Sequence, residues 1–260
     1  MKIRVLGCHG SEQFQATGMP PCRCCSLLIN DKVLIDAGTV AAALTLKEQL
    51  AIESVCLTHL HFDHIKGLPT FADNVAADSS APVNIISVRE VIDGLRAHVF
   101  NDMVFPNFFA LPHPRMPILK CVEVKAHQTA YVSGLEITPI AVNHLGPAVG
   151  FLIRDGGSSV VITGDTYSTE EIWHVASRTR SLKGAFIESS FPNEMHEMAR
   201  RTKHLTPSLV LEEMQKLGRP NVPVFVYHIK PRYEPVIERQ LMELDISNLS
   251  MLREDQVITV

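Results

Sequence analysis

Four side chains that bind transition metals occur within six residues, at His59, His61, Asp63 and His64. They follow an apolar run from Val55 to Leu57, which we predict to be a buried strand. Extended residues alternate sides, so the first three ligands can point the same way, and a turn after them brings His64 alongside. Four ligands are too many for one ion that keeps an open position. We therefore predict two ions, one held by the first pair of histidines and the other by the Asp63–His64 pair.

Three further candidate ligands follow apolar segments that we predict to be strands: His144, Asp165 and His228. A carboxylate such as that of Asp165 can bridge two cations. Imidazole nitrogens and carboxylate oxygens are ordinary ligands for zinc, manganese or iron. Strand ends hold side chains rigidly while the following loops stay open to a substrate. The pattern therefore favours a metal-dependent hydrolytic site at one end of a sheet.

The elements that must position these ligands are short strands and helices. Strands are predicted at 3–6, 26–29, 33–35, 55–57, 83–86, 118–124, 129–133, 135–142, 148–153, 158–162, 184–188 and 222–227. Helices are predicted at 39–50, 88–99, 207–217 and 233–243, and from 169 and 193 onwards. Thr39 and Thr206 are the expected N-caps, and Gly218 is the expected C-terminal stop. Two sheets packed face to face with helices outside would bury these apolar strands.

Composition limits the classes of function. The chain has 260 residues, 46% of them hydrophobic, and a formal net charge of −4. The negative charge argues against a large nucleic-acid footprint, which normally needs a basic face. A small anion held by metal ions stays compatible with it. Residues 1–7 lack the apolar core of a signal peptide and no apolar run reaches membrane length, so we expect a cytoplasmic protein without a membrane partner.

Three of the six cysteines, Cys22, Cys24 and Cys25, crowd into four residues. One interpretation is a small metal or redox cluster completed by Cys8 or His9. The other is reduced thiols near the surface or in packing. The second is favoured, because no further cysteine pair stands at zinc-ribbon spacing. A disulfide framework is not expected without a secretory signal.

The motif His59-Leu60-His61-Phe62-Asp63-His64, followed in order by His144, Asp165 and His228, resembles the metallo-β-lactamase superfamily. The resemblance implies an α+β fold, an αββα sandwich of two face-to-face mixed sheets with outer helices, forming a single domain over residues 1–260. It also implies a dinuclear site at one edge of the sandwich. It assigns to the first ion His59, His61, His144 and Asp165. It assigns to the second ion Asp63, His64, Asp165 and His228.

Further segments are similar to the class II cyclic nucleotide phosphodiesterases. They are Glu188-Ser189-Ser190-Phe191, Lys203-His204-Leu205-Thr206-Pro207, Tyr227-His228-Ile229-Lys230-Pro231, and residues 33–39 and 100–108. This resemblance implies an enzyme that hydrolyses 3′,5′-cyclic nucleotides (cAMP or cGMP) to 5′-nucleoside monophosphates. The implied cofactors are two divalent ions of zinc, manganese or iron. The implied partner is the small cyclic nucleotide itself.

The expected chemistry is in-line attack on phosphorus. Two ions about 3.5–4 Å apart can share a bridging hydroxide, which Asp63 can orient. His204 is the candidate general acid for the leaving 3′ oxygen, and Glu188 can hold the other nitrogen of its ring. The helix that begins near residue 207 lowers the pKa of His204, whereas Glu188 raises it, and the sequence leaves that balance open. The alternatives are a structural or phosphate-binding histidine and a solvated carboxylate.

The segment 100–117 is rich in phenylalanine and proline. It is expected either to cover the site as a flap or to pack on the core or on a second subunit. In the first case Asn101, Phe105 and Phe108 are candidate substrate contacts, with the aromatic rings stacked on a base. Aromatic residues that look exposed favour a homodimer. Trp173 is expected in the core.

Two other functions stay open. One is a nuclease resembling ribonuclease Z, or a hydrolase of another small phosphodiester. The negative charge and the lack of a basic, glycine-rich arm argue against the nuclease. The other is a metal-loaded nucleotide-binding sensor without turnover.

Overall fold

A computed structural model describes residues 1–14 and 21–260 as two large sheets covered by helices. The strands, in chain order, are β1 (Lys2–Gly7), β2 (Ser26–Ile29), β3 (Val33–Ile35), β4 (Ser54–Cys56), β5 (Val83–Ser87), β6 (Pro112–His113), β7 (Met116–Pro117), β8 (Leu119–Glu123), β9 (Ala130–Val132), β10 (Leu135–Ala141), β11 (Val149–Asp155), β12 (Ser158–Ile162), β13 (Leu182–Glu188), β14 (Val224–Tyr227), β15 (Leu249–Met251) and β16 (Val257–Thr259). The helices are α1 (Val40–Ala43), α2 (Leu46–Gln49), α3 (Phe62–Ile65), α4 (Leu68–Val75), α5 (Arg89–His98), α6 (Glu171–Arg178), α7 (His196–Thr202), α8 (Pro207–Leu217) and α9 (Glu234–Glu243).

Both large sheets are mixed and have seven strands. The first has the order β16-β1-β2-β3-β4-β5-β8, with β3, β4, β5 and β8 parallel to one another. The second has the order β15-β14-β13-β12-β11-β10-β9, with β12 to β15 parallel. Strands β6 and β7 form a separate two-stranded ribbon within the segment 100–117.

Apolar side chains separate into three layers that define the sandwich. In β3, Val33 and Ile35 belong to the cluster between the sheets, whereas Leu34 faces the helices on the other side. This alternation follows from the pleat of a strand, which sends successive side chains to opposite faces. A third cluster lies between the second sheet and helices α6, α8 and α9, and it contains Trp173, which is 1% exposed. The predicted αββα sandwich and the core position of Trp173 are confirmed.

The predicted helix at 39–50 is wrong in its continuity and in its cap. The chain forms two short helices, α1 and α2, and the side chain of Thr39 makes no capping hydrogen bond. Thr45 instead accepts a hydrogen bond from the Glu48 N–H and the Glu48 side chain accepts one from the Thr45 N–H, a capping box that starts α2 afresh. Thr206 does precede α8, but its hydroxyl pairs with Ser208 and does not cap the helix.

The parallel strands place their carboxyl ends at one edge of each sheet. Strands β3 and β4 of the first sheet and β12, β13 and β14 of the second all end there, and each is followed closely by a polar residue. Such an edge is where a site built from strand ends must lie. None of the helices in the described part of the chain is long and apolar enough to cross a membrane.

Candidate metal centre

Every metal ligand predicted from the sequence lies at this edge, and the side chains fall into three overlapping groups. One atom from each of four residues lies within 4.8 Å of the others in the first group, which consists of His59, His61, His144 and Asp165. A second group contains Asp63, His64 and His228. A third combines Asp165 with His204 and His228, so Asp165 connects the whole cluster.

Spacings within the first group suit ligands of one cation. The His144 Nε2 and His61 Nδ1 atoms are 3.1 Å apart, and Asp165 Oδ2 lies 3.6 Å from His59 Nε2 and 3.8 Å from His144 Nε2. Two ligand atoms bound tetrahedrally to one zinc ion at 2.0–2.1 Å are separated by roughly 3.4 Å. The observed distances bracket that value.

The second group has similar spacings and also reaches Asp165. His228 Nε2 lies 3.1 Å from Asp63 Oδ2 and 3.2 Å from Asp165 Oδ2. His64 Nε2 lies 3.3 Å from Asp165 Oδ1. The two carboxylate oxygens of Asp165 therefore face ligands of both groups.

Asp63 reaches the site in a different way from the one predicted. The backbone is not extended as far as Asp63, because helix α3 begins at Phe62 and coils the chain back. This turn brings Asp63 Oδ2 to within 3.1 Å of His228 Nε2, while the His64 ring lies beside the first histidines, 4.2 Å from the His59 ring. The division of the motif between two groups thus follows from one helical turn inside it.

Three atoms at the centre of the cluster are buried without a hydrogen-bond partner: His59 Nε2, His64 Nε2 and Asp165 Oδ1. Burying polar atoms without partners is costly, and such atoms usually have an unseen water or ion beside them. Imidazole nitrogens and carboxylate oxygens are donors that divalent transition metals accept. The residues present therefore fit a divalent metal centre.

The protonation states of the histidines in the cluster also favour a bound divalent metal ion. Burial lowers the pKa of His59 well below its usual value, so its ring is neutral and its lone pair is free to bind a cation. Burial also disfavours the charged form of His64, but the carboxylates of Asp165 and Asp36 outweigh it and raise the pKa of His64. A metal ion would neutralise the carboxylate charge that otherwise attracts this proton.

Asp36 and Thr58 form a supporting layer behind the histidines. The Asp36 carboxylate lies 2.7 Å from His64 Nδ1 and accepts hydrogen bonds from the Thr58 N–H and hydroxyl. The Thr58 hydroxyl is in turn 3.0 Å from His59 Nδ1. A carboxylate behind a metal-binding histidine fixes the tautomer that leaves Nε2 for the metal.

Replacing Asp36 with asparagine should weaken metal binding by about 10- to 100-fold, because His64 loses the charged acceptor that fixes its tautomer and raises its basicity. Competition with a chromophoric chelator measures the affinity. Asp31→Asn is the matched control, since Asp31 lies in the preceding turn and pairs with Lys2 at the surface. Unchanged affinity in Asp36→Asn would show that the supporting layer has no such role.

Glu188 and His204 lie together beside the cluster. Glu188 Oε1 is 2.7 Å from His204 Nδ1, and that nitrogen is 3.9 Å from Asp165 Oδ2. Burial disfavours the imidazolium form, but the charge and hydrogen bond of Glu188 outweigh it, so the pKa of His204 lies above its usual value. The effect of Glu188 predicted from the sequence is thus present, and burial is the effect that opposes it.

Ser190 joins this pair to the metal ligands. Its hydroxyl lies 3.0 Å from Glu188 Oε2, 3.2 Å from His204 Nδ1 and 2.8 Å from His228 Nδ1. Glu188 also accepts hydrogen bonds from the N–H groups of Thr166 and Leu205. The buried carboxylate therefore fixes the loops that carry Asp165 and His204 relative to each other.

The chain matches a known protein family. Residues 31–229 match the family described as a Beta-lactamase superfamily domain, which is well over half of the chain. The chain belongs to this superfamily. The resemblance inferred from the ligand order is confirmed, and the two mixed sheets with outer helices agree with it.

The relatives of this chain within the superfamily include proteins named as phosphodiesterases and proteins named as ribonucleases. The chain is 26% identical over 209 residues to a probable 3′,5′-cyclic-nucleotide phosphodiesterase of Yersinia pestis, covering 71% of this chain and 59% of that protein. It is 26% identical over 212 residues to ribonuclease Z of Mycobacterium bovis, covering 76% and 75%. The chain spans between about half and three-fifths of the length of the cyclic-nucleotide phosphodiesterase relatives that it matches.

A solved structure supports the superfamily fold. The crystal structure of unliganded yeast PDE1 has a TM-score of 0.76 with this chain at 19% identity, covering 100% of this chain and 99% of that one. At this identity the likeness shows the fold alone.

Several residues at the superfamily site had no predicted role. Asp36 and Ser190 support ligands that are far away along the sequence, whereas Thr58 directly precedes His59. Two lysines also had no predicted role: the ammonium group of Lys203 lies 5.5 Å over the Tyr167 ring, and that of Lys230 lies 5.6 Å over the Phe191 ring. The short basic run before His204 was the available signal for Lys203.

The segment 100–117 packs most of its rings inward. Phe108 is 6% exposed, and it joins Phe100 and the partly buried Phe105 in the cluster between the first sheet and its helices. The Asn101 side chain bonds its own loop, donating to the Ala97 carbonyl and accepting from two N–H groups. Substrate contact by these residues, and dimer formation through this segment, stay predictions.

Proposed function

We propose that this chain is a metal-dependent phosphodiesterase that hydrolyses 3′,5′-cyclic nucleotides to 5′-nucleoside monophosphates. The observation that carries the proposal is the buried Glu188–His204 pair, 3.9 Å from Asp165. Cleavage of an alkyl phosphodiester expels an alkoxide, which leaves slowly unless a general acid protonates it. The names of the Yersinia and yeast relatives support a cyclic nucleotide as the substrate.

The proposed centre holds two divalent ions of zinc, manganese or iron. The first ion takes the four residues of the first group: His59, His61, His144 and Asp165. The second takes Asp63, His64 and His228 and shares Asp165. When bound, such ions supply an activated nucleophile at neutral pH and neutralise charge on the phosphoryl oxygens. The support is the ligand spacing of 3.1–3.8 Å and the two-sided position of Asp165.

The protein side chains have separate tasks in this reaction. Glu188 and Ser190 occupy Nδ1 of His204, so Nε2 is the nitrogen that protonates the leaving 3′ oxygen. Asp63 orients the attacking oxygen by accepting its hydrogen bond. Burial opposes ionisation of Asp63, but its hydrogen bond with His228 outweighs this and lowers its pKa, so it is an acceptor at neutral pH.

Recognition of the substrate is assigned to the rim of the site. Lys203 directly precedes His204 in the chain, and the charge of Lys230 acts on His204, so these partly buried cations can hold the phosphate of the substrate or product. Asn101, Phe105 and Phe108 remain the proposed contacts for the nucleoside. For Phe108 this requires the segment 100–117 to move, because its ring is buried.

A hydrolysis panel tests the proposal. Purified protein loaded with manganese or zinc is incubated with cAMP, cGMP, a bis-aryl phosphodiester and a precursor transfer RNA, and the products are separated by chromatography. We expect 5′-monophosphates from at least one cyclic nucleotide. Absence of turnover of both cyclic nucleotides with every metal would reject the proposal, and intact ligand retained after long incubation would favour the sensor.

Ribonuclease Z activity is the second candidate. It is favoured by the Mycobacterium bovis relative, which the chain matches over 75% of that protein's length. The formal net charge of −4 opposes it, because gripping transfer RNA needs a basic surface. Cleavage of the precursor at low enzyme concentration, faster than that of either cyclic nucleotide, would establish this alternative.

A further inference from the structure

A second set of metal-binding side chains lies behind His228, outside the centre described above. One ligand atom from each of His9, Cys22 and Glu234 lies within 4.8 Å of the others. His9 and Cys22 are 5% and 2% exposed. The three residues come from the chain after β1, the segment before β2 and the start of α9. Imidazole, thiol and carboxylate form a donor set typical of zinc.

We propose that His9 Nε2, Cys22 Sγ and Glu234 Oε2 bind a divalent metal ion, most suitably zinc, in a structural site. His9 Nε2 and Glu234 Oε2 are 3.4 Å apart. That distance is long for a hydrogen bond, but it equals the roughly 3.4 Å expected between two ligands of one tetrahedral zinc ion.

The other ring nitrogen of His9, Nδ1, is paired with a carboxylate, as is usual for the nitrogen of a metal-binding histidine that does not bind the metal. Nδ1 lies 2.7 Å from Glu254 Oε1, a hydrogen-bond distance too short for two ligands of one ion. Glu254 is itself held by the Arg23 N–H at 2.8 Å. The arrangement repeats that of His64 and Asp36, where a carboxylate fixes the imidazole and leaves Nε2 for a metal. The ion therefore lies on the Nε2 side.

The local charge also favours a cation. The carboxylates of Glu234 and Glu254 both face the His9 imidazole, at 3.4 and 2.7 Å respectively. A divalent metal ion would balance the negative charge of these carboxylates and of the Cys22 thiolate. The other oxygen of Glu234 pairs with Arg253 at 2.8 Å, which orients Oε2 toward His9.

The backbone around His9 contacts the segment that carries His228, a proposed ligand of the main centre. The backbone of His9 forms β-bridges to both Cys24 and Ile229, and the Cys8 carbonyl accepts a 2.6 Å hydrogen bond from the His228 N–H. Gly10 packs so closely on the His228 ring that a Cβ would lie 2.7 Å from it. An ion at His9 would therefore fix the backbone that positions His228.

The interpretation of the cysteines changes accordingly. Packing in the core suits Cys25, which belongs to the cluster between the sheets. Cys22 instead lies among polar metal-binding groups. Cysteine spacing could not reveal this, because the other ligands are remote in sequence and are not cysteines.

Cobalt substitution gives a selective test. The proposed ligands of the main centre are nitrogen and oxygen only, so a thiolate-to-cobalt charge-transfer band in the near ultraviolet reports a cysteine ligand outside it, and the Cys22→Ser variant identifies which cysteine. We expect the band in the cobalt-loaded protein and in its Asp165→Asn variant, and its loss in Cys22→Ser. Elemental analysis of the zinc form should show one equivalent fewer in Cys22→Ser and in Glu234→Gln than in the unaltered protein.

Two matched controls separate metal loss from general damage. Glu238→Gln removes another Arg253 partner from the same helix, and it should keep the band and the full zinc content. Cys121→Ser removes a thiol of the first sheet and should do the same. No charge-transfer band in the unaltered protein, or equal zinc content in Cys22→Ser and the unaltered protein, would overturn the proposal.

Discussion

Asp165→Asn is expected to lose most of the bound metal of the main centre and about a thousandfold or more in hydrolytic rate. Asp165 is 1% exposed, and its two oxygens face ligands of both groups, with His64 on one side and His59 and His228 on the other. An asparagine of nearly the same volume offers one neutral oxygen and an N–H₂ group that no cation can use. Both ions should therefore be affected by a single substitution.

Metal content by mass spectrometry and initial rates at saturating metal measure this outcome. Asp155→Asn is the matched control, because Asp155 is the last residue of β11 and pairs with the start of β12, the end of that strand away from Asp165. It pairs with Asn30 and the N-terminal amine and should leave both quantities unchanged. Full metal content together with full rate in Asp165→Asn would exclude the bridging role.

The candidate metal ligands, which the structure brings together, could be identified because their signals are local. Four of them stand in six residues, and the others directly follow apolar strands, so residue type and spacing suffice. Their supporting residues carry no such signal. Asp36 meets His64 across 28 residues, and Ser190 meets His228 across 38 residues, so each contact exists only once the sheets are packed.

The same reasoning explains which elements the sequence revealed. Strands in the centre of the sheets, such as β11 and β12, are continuous apolar runs and were found nearly to their ends. The edge strands β15 and β16 were missed, because each has three residues, is only partly buried and is stabilised by pairing with β14 and β1. Helix α4 was missed as well, although Leu68, Phe71, Ala72 and Val75 form a buried face at helical spacing.

His204→Ala should keep both ions of the main centre and still lose about 10²- to 10⁴-fold in kcat on a cyclic nucleotide. His204 contacts Glu188 and Ser190 through Nδ1 and lies outside the proposed ligand sets, so its removal takes away the proton donor and spares the metals. Metal analysis and steady-state kinetics measure the two effects. His196→Ala, an exposed histidine at the start of α7, is the control and should behave like the unaltered protein.

The dependence on the leaving group and on pH distinguishes general-acid catalysis from a structural role. An aryl diester expels a stable anion, so His204→Ala should slow its cleavage far less than that of a cyclic nucleotide. Because Glu188 holds the pKa of His204 above its usual value against the effect of burial, kcat should fall as pH rises through that pKa. Without the carboxylate, in Glu188→Gln, the pKa drops and the fall should begin at lower pH. Equal slowing of both substrates, with no shift in the pH profile, would assign His204 a structural role, because a distorted site slows every leaving group alike.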